Sequence, residues 1–149
     1  MNVNPDKKDC VLKIMDKLFK LDSPKMGDQN KENLSDFIAT TINGDTPDAY
    51  LVVNAYVRKE VPGALIYILT NKRLIKIDID QNLNDIKSSS FFLSAIIGIE
   101  RKLMDGGNTA AVEVAFQNDS FGLKFSPKDK SVIDFFQQVD QARAPAKNG

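Results

Sequence analysis

The amino-acid sequence predicts an α+β fold, in which a bent antiparallel sheet of seven strands, or a partly open barrel, is capped by a C-terminal helix and preceded by two N-terminal helices. Three observations support this prediction. Apolar residues early in the chain recur at spacings of three and four, which is typical of helices. After Pro47 they alternate with a period of two, which is typical of strands. After Ser126 the helical spacing returns.

Two amphipathic helices are predicted before Pro47, the first over 6–21 and the second over 31–42. Ser23-Pro24 ends the first pattern, and Asn30 is a candidate N-cap for the second helix. Because short isolated helices are only marginally stable, these two either pack on the rest of the chain or present a surface to a partner. The candidate partner surface consists of Leu34, Phe37 and Ile38.

Seven short strands are predicted after Pro47. The strongest turn signal between them is Asp105-Gly106-Gly107-Asn108, because glycines accept positive φ without steric cost. Val61-Pro62-Gly63 is also predicted to be a turn. An antiparallel meander of this length bends into two nearly orthogonal sheets or a partly open barrel. The predicted strands are 50–58, 64–69, 74–79, 86–93, 96–103, 110–117 and 121–125.

A C-terminal helix is predicted to close the open end of the sheet. Ser126 is its candidate N-cap, Pro127 suits the first helical position, and Asp129 places a negative charge near the helix N-terminus. The tail over 144–149 is expected to fray. The wide apolar face of this helix consists of Val132, Ile133, Phe135, Phe136 and Val139.

The composition argues against catalysis. The chain has no histidine, which removes the commonest general base and transition-metal ligand. Cys10 is its only cysteine, so an internal disulfide and a cysteine-based zinc site are excluded. Asp78 and Asp80 share one face of a predicted strand and are interpreted as solvated charges. We therefore expect a protein that is not an enzyme and that needs no cofactor or metal.

The charge balance argues against nucleic acid as a partner. Lys plus Arg and Asp plus Glu each number 20, so the chain has no net field that would draw it to a polyanion. The polar N-terminus does not resemble a signal peptide, and the lone cysteine fits a reducing compartment. These features predict a cytoplasmic protein.

One string of residues resembles a known family. Ile68-Leu69-Thr70-Asn71-Lys72-Arg73-Leu74-Ile75 resembles the hairpin of bacterial pleckstrin-homology-like domains, the family that includes the YokE-like proteins. Ile96-Ile97-Gly98-Ile99-Glu100, after a serine-rich strand, also looks like that family, and the resemblance covers about 50–141. It implies the fold predicted above and a non-catalytic interaction module. The predicted division is a helical extension over 1–46, the pleckstrin-homology-like domain over 47–143 and a flexible tail over 144–149.

Two functions remain open on the sequence. The leading hypothesis is a module that binds a protein or assembles with itself, through exposed sheet edges or the N-terminal helices. The alternative is peripheral binding of an anionic lipid or a small anionic ligand by a rim of basic residues. The structural interpretation of the same hairpin residues is that Asn71 suits the turn and that the basic pair keeps its tip solvated. The rim candidates are Arg58, Lys59, Lys72, Arg73, Arg101 and Lys102.

Overall fold

The computed structural model describes residues 5–20, 28–58, 61–80 and 85–143. By its internal contacts the chain divides into two compact units, Met1–Ser90 and Phe91–Gly149, called here the first and second units. None of the helices in the described ranges is long and apolar enough to cross a membrane. The predicted tail over 144–149 lies outside the described residues.

Within the described residues, three α-helices and seven strands follow one another in the predicted order. The helices are α1 (Pro5–Leu18), α2 (Asp28–Ile42) and α3 (Lys130–Arg143). The strands form two sheets, with strand orders β1-β2-β3-β4 and β5-β6-β7, and their registered pairs are antiparallel. The predicted α+β fold class is therefore confirmed. The strands are β1 (Pro47–Arg58), β2 (Val61–Thr70), β3 (Arg73–Asp80), β4 (Ile86–Phe92), β5 (Gly98–Met104), β6 (Thr109–Ala115) and β7 (Ser120–Phe125).

The core of the first unit joins the two N-terminal helices to one face of its sheet. Ile14 and Leu18 of α1 are completely buried, and so is Ile42 of α2. They belong to one cluster with isoleucines of β2 and β3. These isoleucines share one face of the sheet, since Ile66 pairs with Ile77 across the two strands. Burying these apolar stripes removes them from water, which is the main stabilisation of such helices. The helices therefore pack within this unit, and whether 47–143 folds without them stays a prediction.

The core of the second unit is built on β6 and α3. Ala110, Val112 and Val114 of β6 are buried, while the residues that alternate with them are half-buried, as expected of a strand with one covered face. Phe91 stacks on Phe116, with ring centroids 4.4 Å apart. Four residues of the predicted apolar face of α3 are buried, which confirms the interpretation of that helix. They are Val132, Phe135, Phe136 and Val139.

Two predicted N-terminal boundaries are wrong. Helix α2 begins at Asp28, so Asn30 lies in its first turn and is not its N-cap. Val61-Pro62-Gly63 is not a turn, because it forms the start of β2, where Pro62 pairs with Tyr56 of β1. Among the described residues, the pairing of β2 with β3 ends at Gly63, so Pro62 lies beyond that ladder. A proline is tolerated there because its missing N–H breaks no hydrogen bond to β3.

The predicted N-cap of α3 is also wrong. The helix begins at Lys130, and the carboxylate of Asp129 accepts a hydrogen bond from the Ser131 N–H at 3.2 Å, as an N-cap does. Ser126 closes the preceding turn instead, because its carbonyl oxygen accepts from the Asp129 N–H at 2.9 Å. Both residues are good caps, and the turn over 126–129 decides between them.

Candidate functional site

Arg73, at the start of β3, ties the β2–β3 hairpin to the end of α2. Its Nε donates to the Asp45 carboxylate at 2.7 Å, and its Nη1 donates to the Ser90 hydroxyl at 3.1 Å. Its Nη2 donates to the carbonyl oxygens of Thr41 and Ile42 at 2.9 and 3.1 Å. Those carbonyls end α2, where the helix dipole favours a cation. Arg73 is therefore committed to contacts inside the first unit.

Thr70 and Asn71 complete this connection. The Thr70 hydroxyl donates to Asp45 at 2.9 Å and accepts from the Arg73 N–H at 2.9 Å. The Asn71 side-chain oxygen accepts from the Thr46 N–H at 2.9 Å, while the Asn71 N–H donates to the Thr46 carbonyl at 3.0 Å. We call Asp45, Thr70, Asn71 and Arg73 the hairpin clamp. The family-like string therefore has a structural explanation, which is to fasten the hairpin to the α2–β1 connection.

Asp45 is the charged centre of the hairpin clamp, and its side chain is only 11% exposed. Burial alone would raise the pKa of this carboxyl group. Hydrogen bonds from Arg73 and Thr70, together with the positive charges of Arg73 and Lys72, outweigh burial and hold the pKa below its ordinary value. The fold thus stabilises the charged form, which is the behaviour of a structural ion pair.

The basic rim is split within the first unit. Arg58 pairs with Val61 at one end of β2, whereas Lys72 is exposed in the turn that follows the other end, at Thr70. Ten residues of β2 separate these ends, which is roughly 30 Å of extended chain. The Arg58 side chain and the whole of Lys59 lie outside the described residues. One small headgroup therefore cannot bridge Arg58 and Lys72.

The other two rim residues lie on β5, in the second unit. Arg101 and Lys102 are adjacent in the strand, so they point to opposite faces of the sheet. Lys102 stands opposite Ala111, which stands opposite Lys124. This row crosses a shallow groove of about 310 Å³ on one face of the sheet. Residues of that face that line the groove are Lys102, Met104, Ala111, Glu113, Gly122 and Lys124.

The candidate partner surface on α2 is placed in the core. Leu34 is 1% exposed and Ile38 is completely buried, and Phe37 packs against the same cluster. Leu34 and Ile38 are therefore covered by their own chain, whereas Phe37 is only partly buried. The amphipathic stripe that marked them is explained by packing on the first sheet.

The sequence reasoning named exposed sheet edges in general, but it did not identify the outer edge of β5. β5 is the end strand of its sheet, and no other strand in the described ranges pairs with its outer side. Ile97 and Leu103 are 65% and 66% exposed, which is high for large apolar side chains. An unpaired edge with exposed apolar residues is a template for another strand.

The hydrogen bonds of β6 define which backbone groups of β5 face outward. Phe116 donates its N–H to the Asp119 carbonyl at 2.8 Å across the β6–β7 hairpin, so the even-numbered residues of β6 face β7. Its odd-numbered residues then face β5, where they pair with even-numbered partners. The N–H and C=O groups of Ile99, Arg101 and Leu103 therefore point away from the sheet.

The described residues contain few groups arranged for chemistry. Within them, no three or more His, Cys, Asp or Glu side chains are placed to hold a metal ion. Cys10 is buried, and burial together with the negative charge of Asp9 raises the pKa of its thiol to about 11. Tyr67 is also buried, and burial and the charge of Asp78 raise its pKa. Both shifts favour the neutral form of the side chain.

Comparison with known proteins describes the fold. No protein-family model and no curated protein matches the chain, so membership of the YokE-like family is not confirmed. One matched structure is the C-terminal domain of an unknown protein from Leishmania infantum, with 14% identity, a TM-score of 0.50 and coverage of 72% of this chain and 95% of that one.

Two further matched structures carry pleckstrin-homology domains. One is a DUF1696 family protein from Shewanella loihica PV-4, with 16% identity, a TM-score of 0.46 and coverage of 73% of this chain and 92% of that one. The other is the Vps36 N-terminal PH domain, with 14% identity, a TM-score of 0.44 and coverage of 67% of this chain and 80% of that one. Matches this weak carry no ligand or partner over to this chain.

Proposed function

We propose that the chain is a non-catalytic interaction module of the pleckstrin-homology-like type, which binds an extended protein segment along the outer edge of β5. The observation that carries the proposal is the outward row of backbone groups at Ile99, Arg101 and Leu103. A segment added there gains main-chain hydrogen bonds, and the side chains beside it provide selectivity. The exposed Leu103 and Ile97 offer apolar surface for the segment to cover.

The state of the polar groups supports a role without catalysis. Arg73 and Asp45 are committed to the hairpin clamp, and the thiol of Cys10 is kept neutral. The absence of histidine from the chain removes the usual general base. A buried free cysteine also accords with a reducing, cytoplasmic setting, which belongs to this proposal.

The proposal is tested by blocking the β5 edge without disturbing the sheet. Arg101→Pro removes an N–H that points outward, which an edge strand tolerates. Arg101→Ala removes the same side chain and keeps the N–H, so it is the matched control. Extended peptides selected from a displayed library on the wild-type protein should bind Arg101→Ala normally and Arg101→Pro about tenfold more weakly. Equal binding by a Pro variant that unfolds at the wild-type urea concentration would contradict the proposal.

A second candidate, binding of a small anion, is favoured by the row of Lys102, Ala111 and Lys124 over the groove. Two strand spacings place the lysine Cα atoms about 10 Å apart, with only a methyl group between their side chains. Glu113, in the next row, limits the net positive charge. The probes are inorganic phosphate, followed by NMR shifts, and flotation of anionic vesicles at low and high salt. Loss of either signal in Lys102→Gln/Lys124→Gln, but not in Lys128→Gln, supports this candidate, and unchanged spectra with no flotation contradict it.

A further inference from the structure

We infer that the segment occupying the outer edge of β5 is β5 of a second copy of this chain, paired antiparallel around a two-fold axis at Arg101. The inference rests on the proposed use of this edge and names its partner. It comes from the order of residues along the strand, Gly98-Ile99-Glu100-Arg101-Lys102-Leu103-Met104. Read in the opposite direction from Arg101, this strand is complementary to itself in charge and in apolar character.

The complementarity is clearest at the charged positions. When two copies pair around Arg101, Glu100 stands opposite the partner's Lys102, and by symmetry the same pair forms a second time. Opposite charges facing each other across two strands stabilise the pairing, whereas like charges oppose it. All three side chains are exposed in the single chain, so they are available to the partner. In the described residues, neither Glu100 nor Lys102 makes an ion pair within the chain.

The apolar positions agree with the same register. Ile99 stands opposite the partner's Leu103, and this pair is also formed twice. Leu103 is 66% exposed in the single chain, so the pairing removes apolar surface from water. Both residues lie on the face of β5 that continues into Val112 and Val114 of β6. A two-fold axis perpendicular to the sheet keeps this face continuous across both copies.

The backbone geometry fits this register as well. The residues whose polar groups point outward are Ile99, Arg101 and Leu103, and in this pairing they meet as hydrogen-bonded pairs. Glu100 and the partner's Lys102 then form non-hydrogen-bonded pairs, in which the Cα atoms approach to about 4.5 Å and the side chains are closest. The ladder of main-chain bonds and the charge pairs are therefore satisfied together.

Neighbouring registers of the two β5 strands place like charges opposite each other without the compensating Glu100–Lys102 pairs. A two-fold axis at Glu100 sets that residue opposite itself, and an axis at Lys102 does the same for the lysine. The favoured register keeps one like-charge pair, Arg101 opposite the partner's Arg101. A single short strand pair with this central repulsion makes a weak, reversible dimer.

Charge reversal tests the pairing. Glu100→Lys or Lys102→Glu places like charges opposite each other at two symmetric sites, so each should weaken dimerisation about tenfold or more. The double variant Glu100→Lys/Lys102→Glu restores both opposite pairs and should dimerise like the wild type. Asp134→Lys and Lys128→Glu make matched changes in net charge at other exposed sites and should leave dimerisation unchanged. Sedimentation velocity over a range of protein concentrations gives the dissociation constants.

Cysteine cross-linking tests the register, in a Cys10→Ser background. Two copies of Arg101→Cys bring their Cα atoms to about 5.5 Å, which suits a disulfide. Ile99→Cys should not cross-link with itself, because four residues of strand, about 13 Å, separate the two positions. Mixing it with Leu103→Cys should restore the cross-link. Lys128→Cys controls for random collisions.

The outcomes separate this inference from the proposed function. Concentration-dependent dimers with rescue by the double variant, and cross-linking at Arg101, support the inference. A strict monomer, a double variant that stays monomeric, or self-linking of Ile99→Cys as fast as that of Arg101→Cys overturns it. If a monomer still binds selected peptides and loses them with Arg101→Pro, the proposed function stands and only the self-pairing fails. If neither binding occurs, both fail.

Discussion

Removing the Arg73 side chain tests the hairpin clamp most severely. Arg73→Ala deletes the hydrogen bonds to Asp45 and Ser90 and those to the two carbonyl oxygens that end α2. It leaves the Asp45 carboxylate, which is 11% exposed, without the guanidinium charge of Arg73, and the Thr70 hydroxyl still donates a hydrogen bond to it. The first unit should therefore lose stability, because a charge removed from water is costly without a partner.

The size of the loss follows from the burial of the pair. Breaking a fully buried ion pair by deleting one partner costs about 3–5 kcal/mol. The Arg73 side chain is 19% exposed, so water partly replaces the lost donors, and we expect about 2–3 kcal/mol. Arg73→Lys keeps the charge but not the planar set of donors and should cost about 1–2 kcal/mol. Lys72→Ala, in the exposed turn, should change stability by no more than about 0.5 kcal/mol.

Tyrosine fluorescence during urea unfolding measures the stability of the first unit, which contains the hairpin clamp. The chain has no tryptophan, and its three tyrosines, Tyr50, Tyr56 and Tyr67, all belong to the first unit. The free energy of unfolding is compared at constant slope against urea. If Arg73→Ala unfolds at the same urea concentration as Lys72→Ala, the clamp contributes nothing and the structural reading of the string is wrong.

Three further predictions concern the first unit. Because folding lowers the pKa of Asp45 below its ordinary value of 3.8, the Asp45 charge contributes stability that is present above that pH and is lost as the pH falls through the folded pKa. Asp45→Asn should therefore lower the free energy of unfolding at neutral pH and reduce its further loss in acid. An unchanged loss of stability in acid would contradict this. Ile38→Ala, at a fully buried site, should lower the free energy of unfolding by about 2–5 kcal/mol in the same urea assay. Leu12→Ala, at a site that is 59% exposed, should lower it by less than about 1 kcal/mol. Equal losses for the two variants would contradict the packing of α2. Cys10, with its pKa raised to about 11, should react slowly with iodoacetamide in the folded protein and quickly in urea, and rapid alkylation of the folded protein would show that it is not buried.

The parts of the fold that the sequence predicted are those with local signals. A period of two, interrupted by turn residues, predicts the strands. The helical spacing of Val132, Phe135, Phe136 and Val139 predicts α3. Neither signal depends on contacts with distant parts of the chain. Boundaries were less predictable, because Ser126 and Asp129 are both good caps and only the intervening turn selects one.

The candidate site was predicted less well, because its parts are distant in sequence. Arg73 looked like a solvated residue of the hairpin tip, but its partner Asp45 lies 28 residues earlier, and nothing local links them. Leu34 and Ile38 showed an apolar stripe that fits a core or an interface equally, and only the packed structure places them in the core. The sequence pattern likewise does not determine strand order, so the position of β5 at the edge of its sheet could not be predicted.

The central claim, that the outer edge of β5 binds a second strand, is tested most directly by amide hydrogen exchange read residue by residue by NMR. At low protein concentration the outward N–H groups of Ile99, Arg101 and Leu103 should exchange quickly, while those of Glu100 and Lys102, bonded to β6, are protected. At high protein concentration, or with a saturating selected peptide, the outward groups should become protected too. Exchange of these three amides that stays fast under both conditions would contradict the account.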